Sequence, residues 1–301
     1  MDVPVSGGYN VRVMEKWIWR NIGFTVPTDW EMLQFSRSAE SGRCAFADRY
    51  QFRLELDWRV VPGPPDFDRM TSDYLARLRE KGMEGGSRFR LSGWHGVDGD
   101  LDGRRTTRLG RHFGAEKCLV EVVFLWPGRK DTGLLRRVVG SVDVEPEHDG
   151  RYRRWRAFGM DLLAARDLPL ERCTAEPANV EMMFADPKHR SVNRFARRGM
   201  VREWMQQTLE QWLRGWVDRG LDGIRQSTCD ARGHRVAVLT GSCTLPGMPR
   251  RRADYTAAAW RCPQDGRLYS AACSRRAKPN ELRPMLAGSR LSCCAAMELP
   301  L

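Results

Sequence analysis

The chain has 301 residues, of which 42% are hydrophobic and 29% charged, a balance typical of a globular protein and unlike that of a disordered one. Its lysines and arginines outnumber its acidic residues and give a formal net charge of +12, which favours anionic partners or acidic surfaces. No apolar run approaches the ~18 residues that a membrane-spanning helix needs, so we expect no membrane span.

The predicted elements begin with a short strand at Gly23–Pro27. From Phe46 to Val61 apolar residues alternate with charged ones, which indicates a strand with one buried face. Apolar residues then recur at helical spacing from Phe67 to Leu78, and Gly82 ends that helix. The rest of the first half is predicted to form strands at Arg88–Trp94, Arg104–Phe113 and Cys118–Trp126 and a closing helix at Thr132–Val139.

The second half has the same order of predicted elements. An amphipathic helix is expected at Val201–Trp216, with a wider apolar face than its counterpart, and a closing helix at Asn280–Leu286. Strands are predicted at Phe158–Leu163, Val180–Phe184, Arg235–Gly241, Tyr255–Trp260 and Leu268–Cys273.

The two halves also share sequence. Trp19–Phe24 follows the pattern Trp-Arg-x-apolar-Gly-apolar, and Trp155–Met160 follows it again. Two further matches keep the same order: Phe46-Ala47-Asp48 returns as Phe184-Ala185-Asp186, and residues 104–144 align without a gap from Arg252 onwards. A repeat this long indicates one duplicated domain rather than a solenoid of short units, so we predict two tandem domains, residues 1–149 and 150–301.

Strands interrupted by one long helix and closed by another predict an α+β fold, with two tandem domains that are each an antiparallel sheet packed with helices. This element order is similar to that of the PsbP-like fold, which DcrB-like proteins share. Residues that resemble the start and end of such domains are Gly23, Phe24, Pro27 and Trp30, followed by Gly140-Ser141 and Gly288-Ser289.

The resemblance implies a protein that binds or escorts partners, in some members as a chaperone for secreted effector proteins, and that does not catalyse a reaction. The second half departs from the pattern at Leu168, which stands where the first half has Trp30, and at Pro284 in the closing helix. We therefore do not expect the two halves to be equivalent in function.

The nine cysteines include no Cys-x-x-Cys pair, and no histidines lie at a zinc-finger spacing. The adjacent Cys293 and Cys294 predict no more than neighbouring thiols. We therefore expect buried free thiols, a reducing and cytoplasmic location, and no metal or other cofactor.

Residues 98–103 fit the Asp-x-Asp-x-Asp-Gly opening of a calcium loop, in which alternate carboxylates converge on one cation. The twelfth position should be a bidentate glutamate but is Leu109, so a solvated turn between strands is the favoured interpretation. His95 and His234 each precede a predicted strand and suit a ligand or a general base, but no nucleophile is evident beside them. We predict no catalytic residue.

The densest basic cluster runs from Arg151 to Arg156 and includes Tyr152 and Trp155. Aromatic rings among arginines suit single-stranded nucleic acid, whose bases stack while its phosphates bind guanidinium groups. The favoured alternative is that Trp155 is a core residue and the arginines form a solvated linker, because a nucleic-acid footprint should extend over a whole face. The residues predicted to bind an anion in the first case are Arg151, Arg153, Arg154 and Arg156.

The helix at Val201–Trp216 carries three tryptophans, more than a helix over one small sheet requires. A larger core explains them, and the other explanation is a binding groove or an interface, where aromatic residues and methionine concentrate. Because loops tolerate insertions and carry function, we add the nearby loop arginines. The predicted partner contacts are Trp204, Trp212, Trp216, Arg250, Arg251 and Arg252.

Taken together, these patterns favour a non-catalytic binding or adaptor protein, such as an escort or chaperone for another protein. The alternative is a protein that binds nucleic acid or an anionic surface through its Arg-rich segments. A third hypothesis is a hydrolase or metal enzyme that uses His95 with Asp98 or Asp100.

Overall fold

We describe the protein from a computed structural model. The residues that the structure describes are 12–38, 40–186, 191–217, 220–245, 251–276, 289–294 and 297–300. They form two compact units, the first made of the residues up to Trp17, Ile22–Ser36 and Glu40–Val144. The second is made of Ile18–Asn21, Arg37 and Ser38, and the chain from Glu145 onwards.

The described residues are 58% strand and 14% helix, so the α+β prediction is wrong and the protein is mostly antiparallel β-sheet. In chain order, the elements up to Val144 are β1 (Met14–Trp19), β2 (Ile22–Pro27), β3 (Glu31–Phe35), β4 (Ser41–Ala47), β5 (Phe52–Val60), α1 (Phe67–Glu80), β6 (Glu84–Leu91), β7 (Trp94–Leu101), β8 (Arg104–Phe113), β9 (Cys118–Trp126), α2 (Thr132–Ser141) and β10 (Asp143–Val144). None of the helices described is long and apolar enough to cross a membrane.

The large sheet of the first unit has seven antiparallel strands in the order β3-β4-β5-β9-β8-β7-β6. In β5 the buried residues Leu54, Leu56 and Trp58 alternate with charged ones, as the sequence predicts. The helix α1 packs against β6 and β7, and its N-cap Asp66 accepts a hydrogen bond from the backbone of Arg69 at 3.0 Å. The predicted helix at 67–82 is therefore confirmed, but it covers only one edge of the sheet.

The second unit contains β11 (Tyr152–Ala157), β12 (Met160–Ala165), β13 (Leu170–Glu176), β14 (Asn179–Asp186), β15 (Ser191–Arg198), α3 (Val201–Trp204), α4 (Leu209–Trp216), β16 (Leu221–Ala231), β17 (His234–Leu245), β18 (Arg251–Arg261), β19 (Leu268–Arg276), β20 (Arg290–Cys294) and β21 (Met297–Pro300). Its large sheet has the order β13-β14-β15-β19-β18-β17-β16, which repeats the strand order of the first unit.

The helix predicted at 201–216 is two helices, α3 and α4. Met205 has an extended backbone and ends the first, and Thr208 begins the second with a capping box that includes Gln211. The predicted closing helix at 280–286 lies outside the described residues.

The repeated tryptophan motif is displaced by two residues from the structural repeat. Both β1–β2 and β11–β12 are joined by two-residue turns, made of Arg20 and Asn21 in one and of Phe158 and Gly159 in the other, all with positive φ. Counting back from the turns, Trp17 and not Trp19 is the counterpart of Trp155. The ring contacts support this correspondence. Trp17 packs edge-on against Phe46 with ring centres 5.2 Å apart, and Trp155 packs edge-on against Phe184 with ring centres 5.1 Å apart.

Candidate functional sites

A groove of about 660 Å³ opens on the first unit between α1 and the middle strands of the large sheet. It exists because α1 packs against the β6–β7 edge and leaves part of the same sheet face uncovered. Its floor includes a row of residues paired across five strands, in the order Arg43, Asp57, Glu121, Gly110 and His95. This row is therefore polar, with Glu121 at its centre and a glycine between Glu121 and His95.

Both carboxylates that line the groove, Asp57 and Glu121, are paired with arginines. Arg43 donates to Asp57 with Nε and Oδ1 2.7 Å apart, and this hydrogen bond raises the pKa of Arg43. Arg59 lies 3.0 Å from Glu121. Because Asp57 and Glu121 are direct neighbours across the strands, each carboxylate needs its own arginine to offset their repulsion.

The helix side of the groove is formed around Tyr74. Arg108 donates a hydrogen bond to its hydroxyl and also lies 5.4 Å from its ring centre. Burial raises the pKa of Tyr74, so it remains a neutral phenol. The arrangement offers an amphipathic ring and paired charges, which suits contact with a polar partner surface.

The three tryptophans predicted to bind a partner have different environments. Trp212 is 8% exposed and stacks on the partly buried Trp216, with ring centres 5.7 Å apart, in the core between α4 and the large sheet. Arg194 lies 4.4 Å from the Trp216 ring on the sheet side. Only Trp204, at 40% exposure, offers a substantial surface. Arg250 lies outside the described residues, and only the backbone of Arg251 and Arg252 is described, in β18.

The arginines predicted to bind an anion are largely held by carboxylates of the same unit. Arg153 pairs with Glu147 at 3.1 Å, and Arg154 pairs with Asp161 at 2.7 Å. Arg156 lies 3.9 Å from the carboxylate of Asp161. Arg151 is exposed, and its backbone closes the turn before β11.

The aromatic residues of that segment are not available for base stacking. Tyr152 and Trp155 are 7% and 5% exposed, and Trp155 packs against Trp19 with ring centres 5.0 Å apart. The core interpretation of Trp155 agrees with this placement.

The acidic run at 98–103 does not form a calcium loop, and only its last two residues form a turn. Asp98 is buried in β7, where its carboxylate accepts hydrogen bonds from Thr107 at 2.6 Å, Arg105 at 2.5 Å and Lys130 at 3.1 Å. Only Asp102 and Gly103 form the turn, both with positive φ. The carboxylate of Asp98 is thus fully used by protein donors.

The two histidines noted in the sequence are not equivalent. His95 stacks on Phe67, with ring centres 4.5 Å apart, at the edge of the groove. His234 follows the two-residue turn between β16 and β17, and the residue that follows the matching turn between β6 and β7 is Trp94. His234 is 2% exposed, so it belongs to the interior of the second unit.

A cluster that the sequence analysis missed surrounds this histidine. The side-chain ligand atoms of His234, Cys262, Cys293 and Cys294 all lie within 4.8 Å of one another. Nε2 of His234 is 3.4 Å from Sγ of Cys293 and 3.7 Å from Sγ of Cys294, and these two sulfurs are 3.8 Å apart. Burial raises the pKa of the Cys293 thiol well above its usual range.

We compared the chain with known protein families and with curated proteins. No protein-family model matches the chain, and no curated protein matches it either. The resemblance to PsbP-like domains therefore stays a prediction.

Proposed function

We propose that this chain is a non-catalytic binding protein that contacts another protein through the groove of its first unit. The groove itself carries the proposal, because it is an open concave surface of about 660 Å³ between α1 and the large sheet. The helix side supplies an aromatic ring and the sheet side supplies charged groups, a combination frequent at protein interfaces.

The charges favour a polypeptide partner over a nucleic acid. Arg43 and Arg59 are each paired with a carboxylate of the groove, so both signs of charge are present side by side. A polyanion is bound by a surface of one sign, whereas a protein surface can match alternating signs.

The absence of catalysis is part of the proposal. Among the described residues, Cys293 beside His234 is the arrangement that most resembles a nucleophile with its base. His234 is 2% exposed and two further thiols surround it, so a substrate that reached the partly exposed Cys293 would not reach the histidine as well.

Filling the groove tests the proposal. A β-carbon at Gly110 would lie 3.4 Å from Met70, an ordinary contact, so we expect Gly110→Leu to fold and to obstruct the groove. Proteins captured from the native cell by the wild-type chain should be identified, purified and measured for binding by calorimetry, and Gly110→Leu should weaken that binding at least tenfold.

The matched control is Gly114→Leu, because Gly114 lies in the β8–β9 turn with open space around its α-carbon. It should bind like the wild type. Equal binding by all three proteins would overturn the assignment of the groove, and turnover of a captured small molecule would overturn the non-catalytic proposal.

The alternative of anion binding through the Arg151–Arg156 segment loses support from its internal ion pairs. Mobility-shift assays with single-stranded oligonucleotides over a salt series distinguish the two. A phosphate binder would show tight binding at low salt that falls steeply as salt rises.

A further inference from the structure

We propose that His234, Cys262, Cys293 and Cys294 bind one zinc ion, which fastens β20 to the large sheet of the second unit. Three sulfur ligands and one imidazole form a donor set that zinc occupies in structural sites. Four protein ligands leave no open position for water or substrate, so the ion would stabilise the fold and take no part in a reaction.

The distances among the donor atoms of His234, Cys293 and Cys294 match the edges of a coordination tetrahedron. With bonds of about 2.3 Å to sulfur and about 2.0 Å to nitrogen, these edges are about 3.8 Å between two sulfurs and about 3.5 Å between sulfur and nitrogen. The observed distances are 3.8 Å between the sulfurs of Cys293 and Cys294, and 3.4 Å and 3.7 Å from these sulfurs to Nε2 of His234. Cys262, fully buried, lies within 4.8 Å of all three.

The surroundings orient the ligands for a metal. Nδ1 of His234 is 3.1 Å from the carbonyl oxygen of Arg232, which places its proton on that nitrogen and leaves the lone pair of Nε2 directed at the sulfurs. The indole N–H of Trp260 donates to Sγ of Cys293 at 3.2 Å and so fixes the position of that sulfur. Both contacts are the supporting hydrogen bonds that metal ligands commonly have.

The topology brings these ligands together from distant parts of the chain. His234 is the first residue of β17, and Cys262 directly follows β18, its antiparallel neighbour. Cys293 and Cys294 end β20, which pairs with β12. In the first unit, the position of His234 is occupied by Trp94, which packs edge-on against Phe113 at 6.3 Å. An apolar contact thus closes the corner that the second unit would close with a metal.

Two other readings of the cluster fit less well. A disulfide requires sulfurs about 2.05 Å apart, whereas those of Cys293 and Cys294 lie 3.8 Å apart. A nucleophilic Cys–His pair requires access for a substrate, but His234 and Cys262 are buried. Among metals, soft thiolate ligands in a tetrahedral set select zinc or iron over magnesium, calcium or manganese.

The test begins with the metal content of the full-length chain, purified under reducing conditions without chelator. We expect one zinc per chain by mass spectrometry of the elements, retained in Cys229→Ser, since Cys229 is an exposed thiol on β16. His234→Ala and the double variant Cys293→Ser/Cys294→Ser should lose the zinc.

Because those variants can also fail to fold, the wild-type chain supplies a second readout. After removal of metal, one equivalent of Co²⁺ should produce the visible bands of a tetrahedral site and a thiolate charge-transfer band. Chelator should accelerate hydrogen exchange in β17 and β20 and leave β8 and β9 of the first unit unchanged.

The proposal is overturned if the wild-type chain carries no stoichiometric metal and gives no tetrahedral Co²⁺ spectrum. It is also overturned if iodoacetamide labels Cys293 as fast as Cys229 in the zinc-containing protein, because bound thiolates should be protected. Loss of partner binding in Gly110→Leu with zinc retained would separate this result from that of the groove.

Discussion

The indole nitrogen of Trp260 donates a hydrogen bond to the sulfur of Cys293 across 3.2 Å. Trp260 is fully buried, and its ring stacks on Tyr269 with ring centres 5.9 Å apart. One side chain therefore both fills the core of the second unit and places a donor on a proposed metal ligand.

Replacing Trp260 with Phe should keep most of the packing and remove the donor. We expect zinc affinity to fall by about 10–100-fold, the usual effect of losing a hydrogen bond to a metal ligand. Competition with a chromophoric chelator measures it. Trp126→Phe is the matched control, since this buried indole donates to Thr107 in the first unit, and its zinc affinity should equal that of the wild type. An unchanged affinity in Trp260→Phe would contradict the role of the hydrogen bond.

Asp98 should make the first unit sensitive to acid. Burial alone would raise the pKa of Asp98, but hydrogen bonds from Thr107, Arg105 and Lys130 outweigh it and hold the pKa below its usual value. The carboxylate therefore stabilises the fold at pH values above the unfolded pKa of about 3.9, and this contribution is lost as the pH falls through the lower folded pKa.

Accordingly, Asp98→Asn should lower the free energy of unfolding by about 3 kcal/mol at pH 7, the order expected when one partner of a buried pair is removed. The difference from the wild type should begin to shrink below about pH 4, where Asp98 of the unfolded chain protonates, and should disappear only below the lower folded pKa. Hydrogen exchange of β7 and β8 in a urea series measures both. Asp102→Asn, in an exposed turn, should resemble the wild type, and a pH-independent difference would argue against this account.

Alanine variants of Trp212 and Trp204 should differ in stability. Trp212→Ala removes a buried, stacked indole and should cost about 3–5 kcal/mol. Trp204→Ala removes a side chain that is 40% exposed and should cost much less. Thermal unfolding of the two variants measures the contrast. Because the proposed partner site is the groove of the first unit, Trp204→Ala should keep partner binding, and loss of binding with only a small fall in melting temperature would favour a contact on the second unit instead.

Replacing Asn21 should lower the free energy of unfolding by an amount that depends on the new residue. It has a φ of +66°, and its side-chain oxygen accepts from the backbone N–H of Arg154 at 2.9 Å. Asn21→Gly loses the hydrogen bond, which is worth about 1 kcal/mol. Asn21→Ala should cost about 1 kcal/mol more, because alanine disfavours this backbone region. Urea unfolding gives the order, and a Gly variant less stable than the Ala variant would contradict it.

Periodicity predicted those elements that have one buried face. The helix α1 and the hairpin of β8 and β9 have the predicted bounds to within a few residues. By contrast, β16 is exposed along most of its length, so its sequence carries no alternation that could reveal a strand. Strands of this kind explain why the fold is more β-rich than the α+β prediction allowed.

Turn chemistry was the neglected signal. Asp102-Gly103 is a strong hairpin dipeptide and forms the turn between β7 and β8, whereas the sequence analysis assigned the whole run 98–103 to a turn and so missed that Asp98 and Asp100 belong to β7. Likewise, the match of Trp19 to Trp155 ignored the turns, and counting residues back from Phe158-Gly159 gives Trp17. Both turns could therefore have been located from the sequence alone.

A rule based on the spacing of residues in the sequence could not have identified the proposed metal ligands. Local zinc motifs place two cysteines within one tight turn, whereas Cys262 follows β18 and Cys293 lies on β20, a strand of another sheet, so the two meet only in the folded protein. The adjacent Cys293 and Cys294 were visible, but nothing local connected them to His234.

Trp94 with Phe113 closes one corner of the first unit, and His234 with three cysteines occupies the matching corner of the second. An aromatic contact needs nothing from its surroundings, whereas thiolates need an available ion and a reducing milieu. A cell short of zinc, or under oxidative stress, would therefore keep the first half of this protein intact while its second half loosened. The stability of the two units would thus depend on different conditions in the cell.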